Sequence, residues 1–174
     1  ADYLLASEQA GWLTESEGFN WDFTQIINEM NTNGDPVDIC QYIIDTTMVN
    51  SENVQAHRSH TWSLIDLGEM DDLEDRLDWF AFELIDAFPD YYYEISEARL
   101  NTEEYKSGVR PDLYHFAMNI ENNGIFPSEL RNAANTLMTG IDNAVLYEEH
   151  RTGDDVVTTG LYDPEVTGRS SFTA

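Results

Sequence analysis

The sequence predicts an α/β fold that is rich in helix, short of strands and incomplete on its own. Three observations lead there. Residues Ala1–Ser7 read as an apolar strand that starts with no run-in. Several long segments carry apolar residues at helical spacing. Only three segments read as strands, a thin sheet for so many apolar helical faces. The chain is therefore expected to be the later part of a larger fold: residues 1–174 form one C-terminal portion, with a loose tail over 165–174.

Each element follows from local chemistry. After the first strand, Glu8 to Asn20 is a loop rich in Gly and acids that carries Trp12 and Phe19. A helix opens at Asp22, which has capping-box spacing to Gln25, and Trp21 can staple onto Ile26. Phe23, Ile26, Ile27 and Met30 mark its expected buried face. Asn33-Gly34 ends it. Asp35-Pro36 starts a second helix, with Asp as cap and Pro in the first turn. Cys40, Ile43, Ile44 and Thr47 lie along one side. Ser51 to Ser59 reads as polar loop, and Thr61 to Leu67 as a second strand. Gly68 allows a turn into a strongly amphipathic helix with apolar positions Met70, Leu73, Leu77, Phe80, Leu84 and Phe88. Pro89 is expected to break it, and Tyr92, Ile95 and Ala98 to form a further short helix. Asp112 to Glu121 packs through Leu113, Phe116, Ala117 and Ile120. Ser128 caps the last long helix, whose stripe is Leu130, Ala134, Leu137, Ile141 and Val145. Helix is expected up to Gly153, followed by a terminal strand over Val156–Tyr162.

Composition narrows the partners. Asp and Glu number 34 against 8 Lys and Arg, a formal net charge of -26, and hydrophobic residues make up 41% of the chain. The chain is thus globular, not a disordered acidic tail. A field this negative repels nucleic acid and anionic membranes. No apolar run approaches the ~18 residues of a membrane span. The acids are scattered along the chain, and Lys106 is the single lysine. That distribution reads as a halophile surface, not as a local cation site. No cofactor is called for; calcium is the one ion that the acids of the Glu8–Asp22 loop would serve.

Few residues carry chemistry by spacing. Cys40 rules out an internal disulfide, and it sits inside an apolar helical stripe, where free Cys is commonly a small buried hydrophobe. His57 and His60 have i,i+3 spacing, with Glu52 or Glu69 as conceivable further ligands, but they lie in a polar approach to a strand and lack a metal-site frame. The acids Asp71, Asp72, Glu74, Asp75 and Asp78 lack the pattern of a calcium loop and read as a solvated helix face. Asp154-Asp155 is only a pair. Phosphate-loop, dinucleotide and serine-hydrolase motifs are absent.

Six short segments, in order, resemble one family. Asp2-Tyr3-Leu4-Leu5-Ala6-Ser7-Glu8 is similar to the "ADYLVASEE" strand of clostripain-type peptidases, the C11 family of caspase-like cysteine peptidases. Gly18 to Phe23 resembles its "GWGWDY", and Ile44-Asp45-Thr46-Thr47-Met48 its "IVDSYM". Leu64-Ile65-Asp66-Leu67 resembles its "SAIDLSKL", with Gly68 in place of the helix-capping Ser. Glu97-Ala98-Arg99 with Asp112 to Ala117 follows, and Gly160 to Pro164 echoes its "GLSIYFP". The resemblance implies a caspase-like α/β/α sandwich with a mostly parallel sheet. It also implies a Cys–His dyad attacking peptide bonds after basic residues, and an extracellular or cell-surface setting. The family's His and its Asp-Ala-Cys nucleophile segment precede the opening strand. His57, His60, His115 and His150 come too late and Cys40 lies on a different helix, so no catalytic residue carries over.

What the resemblance does carry over is the loop beside the nucleophile. In such sheets the loops after strand C-termini build the cleft. Glu8, Trp12 and Trp21 are therefore the candidate substrate-binding residues, Trp21 having the helix staple as its alternative role. The expected function is the C-terminal part of a clostripain-like cysteine endopeptidase, supplying sheet and cleft wall but not the dyad. The expected partners are the upstream part of the same peptidase domain and a protein or peptide substrate with basic residues. The alternative is a non-catalytic acidic binding or structural module of the same fold.

Overall fold

A computed structural model describes residues 2–6, 23–32, 34–54, 60–102, 104–105 and 110–151. Its elements are β1 (Tyr3–Ala6), α1 (Phe23–Thr32), α2 (Pro36–Val54), β2 (His60–Asp66), α3 (Met70–Leu100), β3 (Glu104–Tyr105), β4 (Arg110–Pro111), α4 (Leu113–Glu121), α5 (Ser128–Ala144) and β5 (Val145–Arg151). This is a helix-rich α/β chain with few strands, as the sequence predicts. The described residues fall into two compact units. One takes in β1, α1, α2, β5 and β2 as far as Ile65; the other runs from Asp66 to Ala144.

In the first unit the strands lie in the order β1-β2-β5. β2 and β5 are antiparallel, pairing from His60 with Arg151 to Ile65 with Val145, and the register shifts between Leu64 and Ile65. The expectation of a mostly parallel sheet is not met by this pair. Ser63, Leu64 and Ile65 are all buried, so the central strand is covered on both faces. Asp35 starts α2 as expected: its Oδ1 accepts from Val37 N at 2.9 Å. Ile44 is fully buried on α2, while Cys40 and Ile43 are half-buried. The helix continues through Ser51–Val54, where the sequence reads as loop.

The face expected for α1 needs correction. Ile26 is buried, but Ile27 and Met30 are 55% and 57% exposed. A short helix packed on one neighbour covers a single line of side chains, here the one nearest α2, where Tyr42 Oη donates to Gln25 Oε1 at 2.9 Å. The cap at Asp22 lies outside the described residues.

In the second unit α5 is the central element, packing on both α3 and α4. It buries Leu130, Ala133, Ala134, Leu137, Met138, Gly140, Ile141 and Ala144. Small residues at 133, 134, 140 and 144 let its neighbours approach closely. Entry into α3 is a 3₁₀ turn over Leu67–Glu69, capped by Asp66, whose Oδ1 accepts from Gly68 N at 2.8 Å. α4 opens on Asp112, which accepts from His115 N at 2.7 Å.

α3 is two helical stretches that meet at a kink, as the break expected at Pro89 and the further helix through Tyr92, Ile95 and Ala98 require: the backbone leaves helical geometry at Tyr91 (φ -123, ψ 25), two residues after the proline. Proline removes one ladder donor and crowds the preceding turn, which kinks a helix that packing holds on both sides. Beyond the kink Tyr91 rests against Phe126 with ring centroids 5.9 Å apart, and Ile95 and Ala98 are buried. The inward line is Leu73, Phe80 and Ala87; Leu77 and Phe88 are exposed. At the far end, the buried Thr102 closes α3 by donating from Oγ1 to Ala98 O at 2.8 Å, and Asn119 Nδ2 of α4 reaches the same carbonyl at 3.3 Å.

The tightest approach in this unit is at Gly140. A methyl group there would lie 2.6 Å from Arg76 Cδ and 3.3 Å from Leu73 Cδ1. Arg76 is held in place, forming an ion pair with Asp72 and donating from Nη1 to Thr136 O at 3.1 Å. Gly140→Ala must push that stem aside and loosen both contacts. The expected loss is about 1–3 kcal/mol of stability by urea denaturation. An unchanged urea midpoint would show that α3 and α5 are not in close contact there.

The last helix stops earlier than its apolar spacing implies. Ser128 is inside α5, hydrogen-bonded to Glu129 at 3.0 Å, and Pro127 O accepts from Arg131 N. Val145, expected on the helical stripe, begins β5. The strand expected over 156–162 and the tail from 165 lie outside the described residues.

Candidate functional site

Glu8, Trp12 and Trp21, the residues expected to line a cleft, lie outside the described residues, as do Ser7 to Asp22 throughout. The described part of the same unit includes β1, the neighbouring β2, and α2, which carries Cys40 and Asp45.

Cys40 is half-buried, and burial pushes its thiol above the ordinary value. A nucleophilic cysteine needs the opposite shift, from a cation, a histidinium or a helix N-terminus. The position therefore favours a resting thiol packed beside Ile43 and Ile44. His60 and His150 occupy strand positions one register step apart, since Thr61 faces His150 across β2 and β5; their side chains, like His57, lie outside the described residues. His115 belongs to the second unit. It is partly buried on α4, and burial lowers its pKa against the opposing pull of Asp112. Among the described residues no three His, Cys, Asp or Glu side chains gather to hold a metal ion. Asp71, Asp72, Glu74, Asp75 and Asp78 are all exposed, the solvated face expected.

One polar cluster was not anticipated from the sequence. Tyr147 of β5 donates its hydroxyl to Asp45 Oδ1 of α2 at 2.7 Å and lies 3.1 Å from Glu149 Oε1. One phenolic proton thus serves two carboxylates. The hydrogen bond to Asp45 is the main cause that holds the Tyr147 phenol far above its ordinary value of 10.0, with burial and the two negative charges adding to it. Such a phenol keeps its proton and is no general base near neutral pH. Its work is mechanical: it ties α2 to β5 across 102 residues of sequence. No signal short of the fold could have paired those positions.

The tie makes a pH prediction. The folded phenol stays protonated where the unfolded one ionises, so its contribution is complete below pH 10.0 and is lost as pH rises beyond it. Tyr147→Phe is expected to cost about 0.5–1 kcal/mol at neutral pH, a small figure because the bond is solvent-accessible. The variant should also flatten the decline above pH 10. An equally steep decline in the variant would assign the alkaline loss to other groups.

No helix among the described residues is long and apolar enough to cross a membrane. In comparisons with known proteins, no curated protein and no solved structure matches the chain. A family model does: that of the clostripain family, peptidase C11, over residues 1–165.

Proposed function

The chain belongs to the clostripain family, and from that premise we propose that it is the C-terminal part of a cysteine endopeptidase that cleaves after basic residues, supplying sheet and cleft wall but not the catalytic dyad. The observation that carries this reading is the state of Cys40. The single cysteine of the chain sits on a helix with its thiol pushed up by burial, which suits packing and not attack on a carbonyl. The reading puts the nucleophile and its histidine on the part of the peptidase domain that pairs with β1, an outer strand of the three-stranded sheet. An outer strand offers unpaired backbone groups to a further strand.

In this reading Glu8, Trp12 and Trp21 line the cleft beside the dyad. A substrate with Arg or Lys at the cleaved bond is drawn in by the acidic field of the chain. Glu8 supplies a carboxylate for the basic side chain, and the two indoles supply apolar walls for its methylene stem. Steady-state kinetics of the parent peptidase on an arginyl peptide test these roles. Glu8→Gln is expected to raise KM for the arginyl peptide more than for a norleucyl analogue. Equal effects on both would remove Glu8 from the site.

A further inference from the structure

The first half of α3 has two apolar lines. Leu73, Phe80 and Ala87 point into the core. On the opposite side Trp79, Phe82 and Ile85 follow at steps of three and are 41%, 68% and 73% exposed. Six residues of helix rise about 9 Å, so the outward line covers nearly two turns. Scattered single apolar residues at a surface need no explanation, but a contiguous line of three large ones does. The indole of Trp79 is held by its Nε1 bond to Glu83 Oε1 at 3.2 Å. The stripe is flanked on the helix by the exposed carboxylates Asp75, Asp78 and Asp86.

We propose that this acid-rimmed stripe docks a cationic amphipathic helix of another protein, with its apolar line over Trp79, Phe82 and Ile85 and its Lys or Arg residues against Asp75, Asp78 and Asp86. Charge decides the occupant. A second copy brings another net charge of -26 to the contact, and an anionic membrane or nucleic acid is repelled in the same way. A basic helix meets attraction at the rim and buries apolar surface at the centre, the usual helix-in-groove arrangement with anchors at i, i+3/4 and i+7.

The test uses the full chain and two synthetic peptides of equal charge: a helical Leu/Lys heptad peptide, and the same peptide with Ser for Leu. Binding is followed by anisotropy of the labelled peptide, in enough NaCl to abolish binding of the Ser peptide. The Leu/Lys peptide is expected to stay bound. Phe82→Ser with Ile85→Ser should weaken it about tenfold or more while leaving the thermal melt unchanged, because both side chains are exposed. Asp75→Asn with Asp78→Asn should weaken it and reduce its salt dependence. Equal binding of the two peptides at every salt concentration, or full binding by the Ser variant, overturns the proposal. A lower melting temperature in that variant would mean that another part of the same polypeptide covers the stripe. Self-association abolished by the same variant would mean that a second copy does. Either result also overturns it.

Discussion

The melting temperature of this protein is expected to climb steeply with NaCl or KCl into the molar range. The chain carries 34 acids, a single lysine and seven arginines. The described acids are mostly on the surface, and Asp71, Asp72, Glu74, Asp75 and Asp78 crowd one helix face. Arg76 offsets only Asp72 among them by an ion pair. Folding brings these charges closer together, so repulsion weighs on the folded state more than on the unfolded one. Molar salt shortens the Debye length to ~3 Å and removes most of that cost. Relief of ~4 kcal/mol would raise the melting temperature by about 10 °C in a domain of this size. A local cation site behaves differently, saturating at low divalent metal and indifferent to molar monovalent salt. A melt series in NaCl, with and without millimolar calcium, separates them. A flat NaCl series with a jump in calcium would end the halophile reading and direct attention to the acids of Glu8–Asp22.

The second large effect is expected from Leu137→Ala. Leu137 is fully buried at the centre of α5, the helix on which both α3 and α4 pack. Three of the four residues one turn away from it on the buried face, Ala133, Ala134 and Gly140, have no side-chain length with which to fill a vacancy, and the fourth, Ile141, is β-branched and stiff. The cavity therefore stays open, and the loss should lie near the upper part of the usual range, about 3–5 kcal/mol. Leu77→Ala on α3, also a predicted core position but exposed, should cost far less. Equal losses by urea denaturation would mean that α3 is rotated from the orientation described here.

The contrast between those two leucines shows what sequence can and cannot carry. The stripe of α5 was legible because every residue of a central helix face is covered. On α3 a period of 3.6 fitted Leu77 and Phe88 as well as Leu73 and Phe80, and only the packing partner chose between them. Asp35-Pro36 and Asp112 marked helix starts correctly, since a cap is a local hydrogen bond. Pro89 was legible for a related reason: its local rule gives a broken helix, and the two stretches of α3 meet at the kink at Tyr91. β5 was missed because Val145 falls four residues after Ile141 and so extends the helical stripe on paper. The competing signal, Val145 and Tyr147 at strand alternation, is only two residues long. The Tyr147–Asp45 tie needed the fold itself. The family was legible from six ordered segments, and the family match over residues 1–165 supports it.

The role assigned to Cys40 is the point on which the functional account turns. Cys40→Ala in the proposed parent peptidase, assayed on an arginyl peptide alongside a thermal melt, tests it most directly. The account predicts kcat and KM close to those of the unsubstituted enzyme, with a modest fall in melting temperature from the lost packing of a half-buried thiol. Loss of turnover in a variant that still melts cooperatively at nearly the same temperature would contradict it, and would place the nucleophile on α2.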